Sequence, residues 1–289
     1  ISTSPPISCH LVAQAIQTET GLPWIADFRD FWISHKIEDV FASRSRRERA
    51  WELIGTIKDR AAVVTTCNPA ISEYLGGGEV IFNGYDDSLA QLWRAPSDRT
   101  VMNVGLLGTF DELVPIEPLL RVLAMLREAS PELFKNIRLL QVGRVDEGWF
   151  RALLRKYALF ELCTMHGFQD RRRSIEMLSE ASLFYLGLAS TKERGIVPSR
   201  LFDLFASGRP ILTALPSGSV VAELIAEIDN GCPFDSDDSA DVRKAADFIG
   251  RLARQHLSGE MSLIVRPEYA SRFSASAMVA KFAGVIGGL

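Results

Sequence analysis

The segment 195–212 combines features that suit the binding of a nucleotide. It predicts a short helix over Arg200–Ala206, with Ser199 before it and Gly208 after it, residue types that favour a helix start and a helix stop. Asp203 lies one turn inside this helix, where a carboxylate can accept hydrogen bonds from the paired hydroxyl groups of a ribose. A solvated acid on an exposed helix face is the alternative, and the residues alone leave both interpretations open.

A second candidate segment, 105–110, follows a predicted strand and contains Gly105 and Gly108. Glycine lets backbone N–H groups approach a phosphate closely, so Gly108 and Thr109 are predicted to contact a diphosphate. The segment lacks the middle glycine of the Gly-x-Gly-x-x-Gly fingerprint of dinucleotide-binding proteins. A tight structural turn therefore explains its glycines equally well.

Three charged residues, Asp27, Arg29 and Asp30, lie at the carboxyl end of a strand predicted over 24–28. Ligands of doubly wound sheets bind beyond the carboxyl ends of the strands, so these residues are candidates for a catalytic role. An internal ion pair that shapes the loop is an equal alternative.

The rest of the sequence predicts the scaffold that positions these residues. Short apolar runs alternate with helical periodicity along the chain, which indicates βα units and a mainly parallel sheet. Strands are predicted over 24–28, 61–65, 79–82, 101–107, 137–142, 160–163, 182–187 and 210–214. The segment 1–6 reads as the end of a strand turning into a loop, so we expect a chain that lacks the start of its first domain.

A change in composition predicts two domains. Between 87 and 99 the residues turn to Ser, Pro, Asp and Gln, and the alternation of strands and helices restarts afterwards. We therefore expect a partial N-terminal Rossmann-like domain over 1–98. A C-terminal Rossmann-like domain with a terminal helix is expected over 99–289.

Composition excludes several classes of protein. The 289 residues are 47% hydrophobic and 24% charged, which is typical of a folded globular chain. A net charge of −4 does not favour nucleic acid, because that binding depends on Lys and Arg neutralising phosphates. The four cysteines are far apart and predict neither a zinc site nor a disulfide framework. No apolar run reaches the roughly 20 residues of a membrane span.

The segment 195–212 resembles the donor-site motif of the large retaining family of GT-B glycosyltransferases that includes sucrose and mannosyl transferases. Members often read Pro-x-Lys-Leu-x-Glu-Tyr-x-Ala-x-Gly-x-Pro-Ile at this point. Arg200 falls on the Lys, and Asp203 falls on the second Glu of the family's Glu-x7-Glu pair, which binds the nucleotide ribose. Gly195 occupies the position of the first Glu, and Glu193 lies two residues away.

Two further segments resemble the amino domain of a bacterial branch of the same family. The segments 4–6 and 27–32 are similar to Ser-Pro-Pro and Asp-Phe-Arg-Asp-Pro-Trp, with Phe31 in place of the usual Pro and Trp32 matching the final Trp. The segment 83–86 is similar to the Asn-Gly-Tyr-Asp that closes that domain. These motifs occur in the family's order and cover nearly the whole chain.

The resemblance implies the α/β fold class GT-B, with two doubly wound Rossmann-like domains, the first incomplete. Members often place an Arg and a Lys after the first strand of the carboxyl domain, but 109–114 contains neither. Arg144 and Arg200 are the predicted substitutes that stabilise the departing diphosphate, with ordinary surface arginines as the alternative. His166 lies where members contact the base, with a structural role as its alternative. The predicted donor-binding residues are Gly108, Thr109, Arg144, His166, Ser199, Arg200 and Asp203.

The implied function is a hexosyl-type transferase of bacterial polysaccharide synthesis. It would move a sugar from a nucleotide-diphosphate sugar to a saccharide or lipid-linked acceptor, with retention, and without a metal or any cofactor besides the donor substrate. A non-catalytic nucleotide-sugar-binding relative and a GT-B nucleotide-sugar epimerase are the alternatives. We expect a cytoplasmic protein, free or peripheral at the inner membrane face. We also expect this chain by itself to have little or no transferase activity, because its first sheet is incomplete.

Overall fold

The computed structural model describes residues 1–31, 44–111, 114–188, 195–215, 218–227, 231–261 and 267–289. Trp32 and Glu193 lie outside these ranges. The chain forms two compact units, each built on one sheet. The first unit comprises Ile1–Gly84, Lys192–Val197 and Ala275–Leu289, and the second comprises Tyr85–Thr191 and Pro198–Ser274.

The first unit is a parallel sheet between helices. Among the described residues its strands pair in the order β1-β2-β3-β4. In chain order its elements are β1 (Ser2–Ser4), α1 (Ser8–Thr20), β2 (Ile25–Phe28), α2 (Arg44–Arg60), β3 (Val63–Thr66), α3 (Pro69–Tyr74), β4 (Glu79–Val80) and the terminal helix (Ala275–Gly287).

Both faces of this first sheet are apolar, as expected for parallel strands covered by helices. Trp24 and Phe28 pack with Ile54 and Ile57 of α2 on one face. Ile25 and Ile81 pack with Val285 of the terminal helix on the other. The alternation of side chains along β2 therefore sends buried residues to both sides.

The second unit contains a larger parallel sheet. Within the described residues the strand order is β10-β9-β8-β5-β6-β7. Its elements are α4 (Asp87–Ala90), β5 (Met102–Leu107), α5 (Glu117–Ala129), α6 (Pro131–Phe134), β6 (Ile137–Val142), α7 (Glu147–Lys156), β7 (Cys163–Met165), α8 (Arg171–Leu178), β8 (Ala181–Gly187), α9 (Arg200–Ala206), β9 (Ile211–Ala214), α10 (Val220–Ala226), β10 (Gly231–Phe234), α11 (Ser239–Ser258) and α12 (Pro267–Ser271). The order reverses between β5 and β8, and ligands of doubly wound sheets bind at such a reversal.

The predicted α/β class with parallel sheets is confirmed, one predicted strand is corrected, and some short elements were not predicted. Residues 160–163 do not form one strand, because Phe160–Leu162 is a 3₁₀ turn and β7 begins at Cys163. The strand β10 was not predicted, since Pro233 and Gly231 weaken the strand pattern and are tolerated at this sheet edge. The short helix α4 was not predicted either, although Asp86 caps it through Ser88 N and Leu89 N.

The compact units divide the chain differently from the predicted boundary at 98/99. Residues 85–98 belong to the second unit, because Trp93 packs its ring against Phe184 and the buried Arg209 donates to the carbonyl oxygen of Arg94. The terminal helix belongs to the first unit through Val285. The composition of 87–99 is typical of a linker and gave no indication that this segment packs against the second unit.

In the described part of the chain, none of the helices combines the length and the apolar character needed to cross a membrane.

Candidate functional site

Two glycines bring the ends of adjacent strands into direct backbone contact in the second unit. Gly108 follows β5 with φ 96°, and Gly143 follows β6 with φ 143°. A Cβ atom at Gly143 would lie 2.1 Å from the carbonyl oxygen of Gly108, so no larger residue fits there. Gly143 also donates from its N–H to the carbonyl of Gly167 after β7 over 2.8 Å. At the carboxyl ends of these three strands, the backbone of Gly108, Gly143 and Gly167 therefore forms a continuous surface, which we call the glycine surface.

Arg200 holds the first of these turns. Its Nη1 donates to the carbonyl oxygens of Leu107 at 3.2 Å and Thr109 at 3.1 Å, on either side of Gly108. A Cβ atom on Gly108 would lie 2.6 Å from this nitrogen. Burial lowers the pKa of the Arg200 guanidinium, and the nearby charge of Asp111 opposes that effect. Arg200 therefore holds the loop after β5 in its conformation, and its positive charge lies beside the glycine surface.

Asp203 lies three residues further along the same helix and is paired with Arg171. Nη2 of Arg171 donates to Oδ1 of Asp203 over 2.6 Å, and the Asp203 side chain is only 16% exposed. Burial raises the pKa of the Asp203 carboxyl, Arg171 lowers it, and the charge of Asp86 raises it further. The interpretation of Asp203 as a fully solvated acid is thereby excluded, and a carboxylate partly shielded from water is present.

Ser199 occupies the position before α9 but does not cap it as predicted. Its backbone is already helical, with φ −57° and ψ −32°, and its hydroxyl makes no capping bond within the described chain. The helix starts instead with backbone bonds from Leu201 to Pro198 and from Phe202 to Ser199. Gly208 does end the helix in a left-handed conformation, with φ 69°, as predicted.

Arg144 and His166 lie at the ends of β6 and β7. The Arg144 guanidinium stacks over the ring of Phe168 at 4.5 Å from its centroid. The N–H of His166 donates to the carbonyl of Gln141, and its own carbonyl accepts from Gln169. Strand pairing therefore places both residues at the edge of the sheet that carries Gly108 and Gly143.

The predicted catalytic residues lie in the first unit, where Asp27 and Arg29 form an ion pair. Nε of Arg29 donates to Oδ2 of Asp27 over 2.7 Å, and the hydroxyl of Thr65 donates to Oδ1 over 2.7 Å. Asp27 is only 2% exposed, so both of its oxygens are already engaged within the fold. Arg29 also donates to the carbonyl of Ile81 over 2.8 Å. These contacts support the alternative interpretation, in which Asp27 and Arg29 form an internal ion pair that shapes the loop.

Asp30 differs from its neighbour Asp27. It is exposed, and its Oδ1 accepts from the N–H of Phe31 over 2.8 Å. Its catalytic role stays a prediction.

Gly195 leaves no room for the carboxylate that the resemblance would place there. A Cβ atom at this position would lie 2.5 Å from the Cβ of Ala70 and 2.6 Å from Cζ of Phe31. The carbonyl of Gly195 accepts from Nδ2 of Asn68 over 2.9 Å. The side chains of Ala70 and Phe31 therefore occupy the space that a longer side chain at position 195 would need.

The sequence analysis assigned no role to Arg171, although this residue pairs with Asp203. Its sequence neighbours give no sign of the contact, because Asp203 lies 32 positions away. In the described ranges, no group of three or more His, Cys, Asp or Glu side chains is arranged to hold a metal ion.

Comparison with solved structures identifies the fold. A sucrose-phosphate synthase from Thermosynechococcus elongatus matches with a TM-score of 0.59 at 15% identity, over 97% of this chain and 71% of that one. WaaG, a glycosyltransferase involved in lipopolysaccharide biosynthesis, matches with a TM-score of 0.55 at 14% identity, over 93% and 82%. An α,α-trehalose-phosphate synthase (UDP-forming) from Burkholderia vietnamiensis matches with 0.57 at 10% identity, over 96% and 72%.

The searches of protein-family models and of curated proteins found no match. At these identities the structural likeness establishes the fold alone. The chain has the GT-B fold, and the structures it is similar to are GT-B glycosyltransferases.

Proposed function

We propose that this chain is a glycosyltransferase that binds a nucleotide-diphosphate sugar on its second unit. The observation that carries the proposal is the set of groups at the carboxyl edge of the larger sheet. Gly108 and Gly143 present backbone without side chains, Arg200 supplies positive charge beside them, and Asp203 supplies a shielded carboxylate on the same helix.

Each group suits one part of such a donor. The N–H groups of Gly108 and Gly143 already donate to the carbonyls of Val142 and Gly167, so the small glycines provide close approach and not free donors. A guanidinium such as that of Arg200 can bind a diphosphate and stabilise the charge that develops as it departs. A carboxylate can accept two hydrogen bonds, which suits the paired hydroxyls of a ribose. The stacked Arg144 and Phe168 offer a flat surface for a base. Two of the similar solved structures are complexes with UDP, which is a ligand of this class.

The finer features of the proposal follow the resemblance. We propose transfer with retention, without a metal, to a saccharide or lipid-linked acceptor. Of the three predicted catalytic residues we retain Asp30 as the candidate, because Asp27 and Arg29 are engaged in an ion pair with each other.

A second candidate function is supported by Gly195. Because the packing of Ala70 and Phe31 excludes a carboxylate there, the chain lacks one group of the motif it resembles. A nucleotide-sugar-binding protein without transferase activity is consistent with that loss.

Calorimetry and a turnover assay separate these functions. We expect UDP or GDP to bind at millimolar concentration or below, and a transferase to release the diphosphate slowly from its own nucleotide sugar. Binding without release from any of a panel of UDP- and GDP-sugars would favour the binding protein. Failure of both nucleotides to bind would contradict both functions.

A further inference from the structure

The helix α1 of the first unit is attached to its sheet through a histidine. His10 is the one buried residue of this helix, and its side chain is fully shielded from water. Three larger apolar residues, Leu11, Val12 and Ile16, instead face solvent with exposed fractions of 39%, 62% and 53%. A surface helix ordinarily turns its apolar stripe toward the core. The attachment of α1 therefore depends on a polar side chain that can take up a proton.

Two further contacts support α1. Ala13 packs, partly buried, against the apolar cluster that contains Trp24 and Phe28. Near the end of the helix, the hydroxyl oxygen of Thr18 accepts from Nη1 of Arg60 on α2 over 3.2 Å. Neither contact buries a large apolar side chain of α1, so His10 remains its main anchor.

His10 belongs to a chain of hydrogen bonds with Ser2 of β1 and with Trp24. The indole N–H of Trp24 donates to Oγ of Ser2 over 2.7 Å, and this oxygen lies 2.7 Å from Nδ1 of His10. Because an indole can only donate, Ser2 accepts from Trp24 and directs its own proton to Nδ1. The neutral ring of His10 therefore carries its proton on Nε2.

The second ring nitrogen of His10 lies among apolar groups. Nε2 is buried and makes no hydrogen bond in the described part of the chain. The ring centroids of Phe28 and Trp24 lie 4.6 Å and 6.1 Å from that of His10. An unpaired neutral N–H costs some free energy in such surroundings, but an unpaired charge costs far more.

A second proton on His10 would disrupt this arrangement. It would have to bind Nδ1, toward which the hydroxyl proton of Ser2 points. Ser2 would then accept from both Nδ1 and Trp24, and its own proton would lose its acceptor. The charged ring would still have no acceptor at Nε2. The attraction of a cation for the ring of Phe28 is weaker than the cost of burying an unpaired charge.

Asp27 on β2 is the charged group that acts on His10. Burial lowers the pKa of His10 from 6.5 to about 4, although the charge of Asp27 opposes this effect. Asp27 forms its own ion pair with Arg29 over 2.7 Å, and its other oxygen accepts from Thr65. It is therefore not available as a direct partner for a charged His10.

The other elements around α1 bring no opposite charge to His10. The strand β1 consists of Ser2, Thr3 and Ser4, which do not ionise near neutral pH. Arg60 of α2 contacts the helix at Thr18, about two turns from His10. On α1 itself the ionisable residues besides His10 are Cys9 and Glu19, and both are exposed.

We propose that His10 is a proton-controlled latch, which keeps α1 on the first sheet while its ring is neutral and releases the helix when the ring takes up a proton. The inference goes beyond the proposed function, because it concerns groups of the first unit and involves no nucleotide. The proton comes from the solvent, and no covalent bond to carbon is formed or broken.

The sign of the effect follows from the two environments of the ring. On the sheet the pKa of His10 is about 4, and in water it is 6.5. The released helix therefore binds the proton more tightly, so its population rises as the pH falls from 6.5 toward 4. Above pH 6.5 the ring is neutral in both states, and the latch is fully closed.

Amide hydrogen exchange of the whole chain, followed by mass spectrometry, tests the latch. Rates at each pH are corrected for the intrinsic pH dependence of exchange. Because the release of α1 takes up one proton, its protection should fall about tenfold between pH 7.5 and pH 5.5. The helix α5 in the second unit contains no histidine, and its protection should not change.

Two variants remove the proton-binding group. His10→Gln keeps an acceptor for the hydroxyl of Ser2, and His10→Phe keeps a flat ring. In both variants the protection of α1 should be equal at the two pH values. The matched control is His256→Gln, since His256 is also buried but each of its ring nitrogens has a partner, Ser182 or the carbonyl of Asp98. This control should retain the tenfold fall in α1. Circular dichroism at pH 7.5 shows that each variant is folded.

Three outcomes would overturn the latch. The first is constant protection of α1 in the unchanged protein, and the second is the same fall in both His10 variants. The third is an equal loss of protection in α1 and α5, which would indicate general unfolding by acid. If neither variant folds, the imidazole resonance of His10 in the unchanged chain decides. A titration midpoint well below 6.5 supports the latch, and one at or above 6.5 overturns it. Each result leaves the proposed function intact, because no readout involves a nucleotide.

Discussion

Arg171 and Asp203 are joined by a 2.6 Å ion pair between α8 and α9, although 31 residues separate them in the chain. The pair is partly shielded from solvent, since the side chains of Arg171 and Asp203 are 52% and 16% exposed. Only Oδ1 of Asp203 is used in this contact. The positive charge therefore offsets the cost of burying the carboxylate, which stays suited to binding hydroxyl groups.

Replacing Asp203 with Asn should weaken nucleotide binding. The substitution keeps the side-chain size but removes the charge and exchanges one acceptor for a donor. Hydrogen bonds to charged groups contribute roughly 1.5–3 kcal/mol, so the affinity for UDP or GDP should fall on the order of tenfold to a hundredfold by calorimetry.

The matched control is Glu176→Gln, which neutralises an acid paired with Arg173 on the same helix as Arg171. Its affinity should equal that of the unchanged protein. Ribose and 2′-deoxyribose diphosphates add a second readout, because discrimination between them should disappear in Asp203→Asn. Equal affinities for the two nucleotides in the unchanged protein would show that Asp203 is not the ribose ligand.

Arg171→Met should make nucleotide affinity depend on pH. Arg171 lowers the pKa of the Asp203 carboxyl against the raising effects of burial and Asp86. Without it that pKa rises further, so the carboxyl takes up a proton at a higher pH and affinity falls earlier as the solution is acidified. Titrations between pH 5 and pH 8 should show the loss in Arg171→Met and its partial reversal in Arg171→Lys. Parallel pH profiles for all three proteins would refute this role.

Gly143→Ala should destabilise the second unit. The new Cβ would lie 2.1 Å from the carbonyl oxygen of Gly108, and φ 143° is strained for any side chain. We expect a loss on the order of 3 kcal/mol in the free energy of unfolding, as for other strained backbone sites. Gly55→Ala is the control, because it lies in α2 with no atom within 4 Å of the new Cβ. It should be neutral or stabilising by about 0.5–1 kcal/mol. Equal denaturant midpoints for both variants would contradict the contact.

Asp27→Ala should also reduce stability, and this separates a structural from a catalytic role. It leaves Arg29, which is 16% exposed, without its partner. Breaking a buried pair typically costs about 3–5 kcal/mol. Glu132→Ala is the control, because it removes the partner of Lys135 in an exposed pair. Its free energy of unfolding should change by at most about 1 kcal/mol. An unchanged unfolding midpoint in Asp27→Ala, together with lost turnover, would favour the catalytic interpretation.

Regular elements were predictable because they depend on local pattern. The helix α9 has its predicted bounds, Arg200–Ala206, since Gly208 ends it by its own conformational preference. The strand β6 likewise matches the predicted 137–142, because its apolar run is bounded by polar residues and Gly143.

Contacts between distant segments could not be predicted in the same way. Nothing in the neighbourhood of Arg171 or Asp203 indicates that the two would pair. Gly195 could be recognised as a departure from the family motif, but the reason lies in the positions of Ala70 and Phe31. Ser199 was given a capping role by its residue type, and its helical backbone prevents that role.

The contact of Arg209 with the Arg94 carbonyl has a consequence for limited proteolysis. Trypsin cleaves after arginine and needs several residues in an extended, accessible conformation, so the composition of 87–99 would suggest an easy cut. The carbonyl of the Arg94–Ala95 peptide bond is instead engaged by a guanidinium that is 1% exposed, and Ser97 donates from its N–H and hydroxyl to Glu180. The Arg94–Ala95 bond should therefore survive digestion until the second unit itself unfolds. Protease susceptibility would report the stability of that unit rather than the position of a linker.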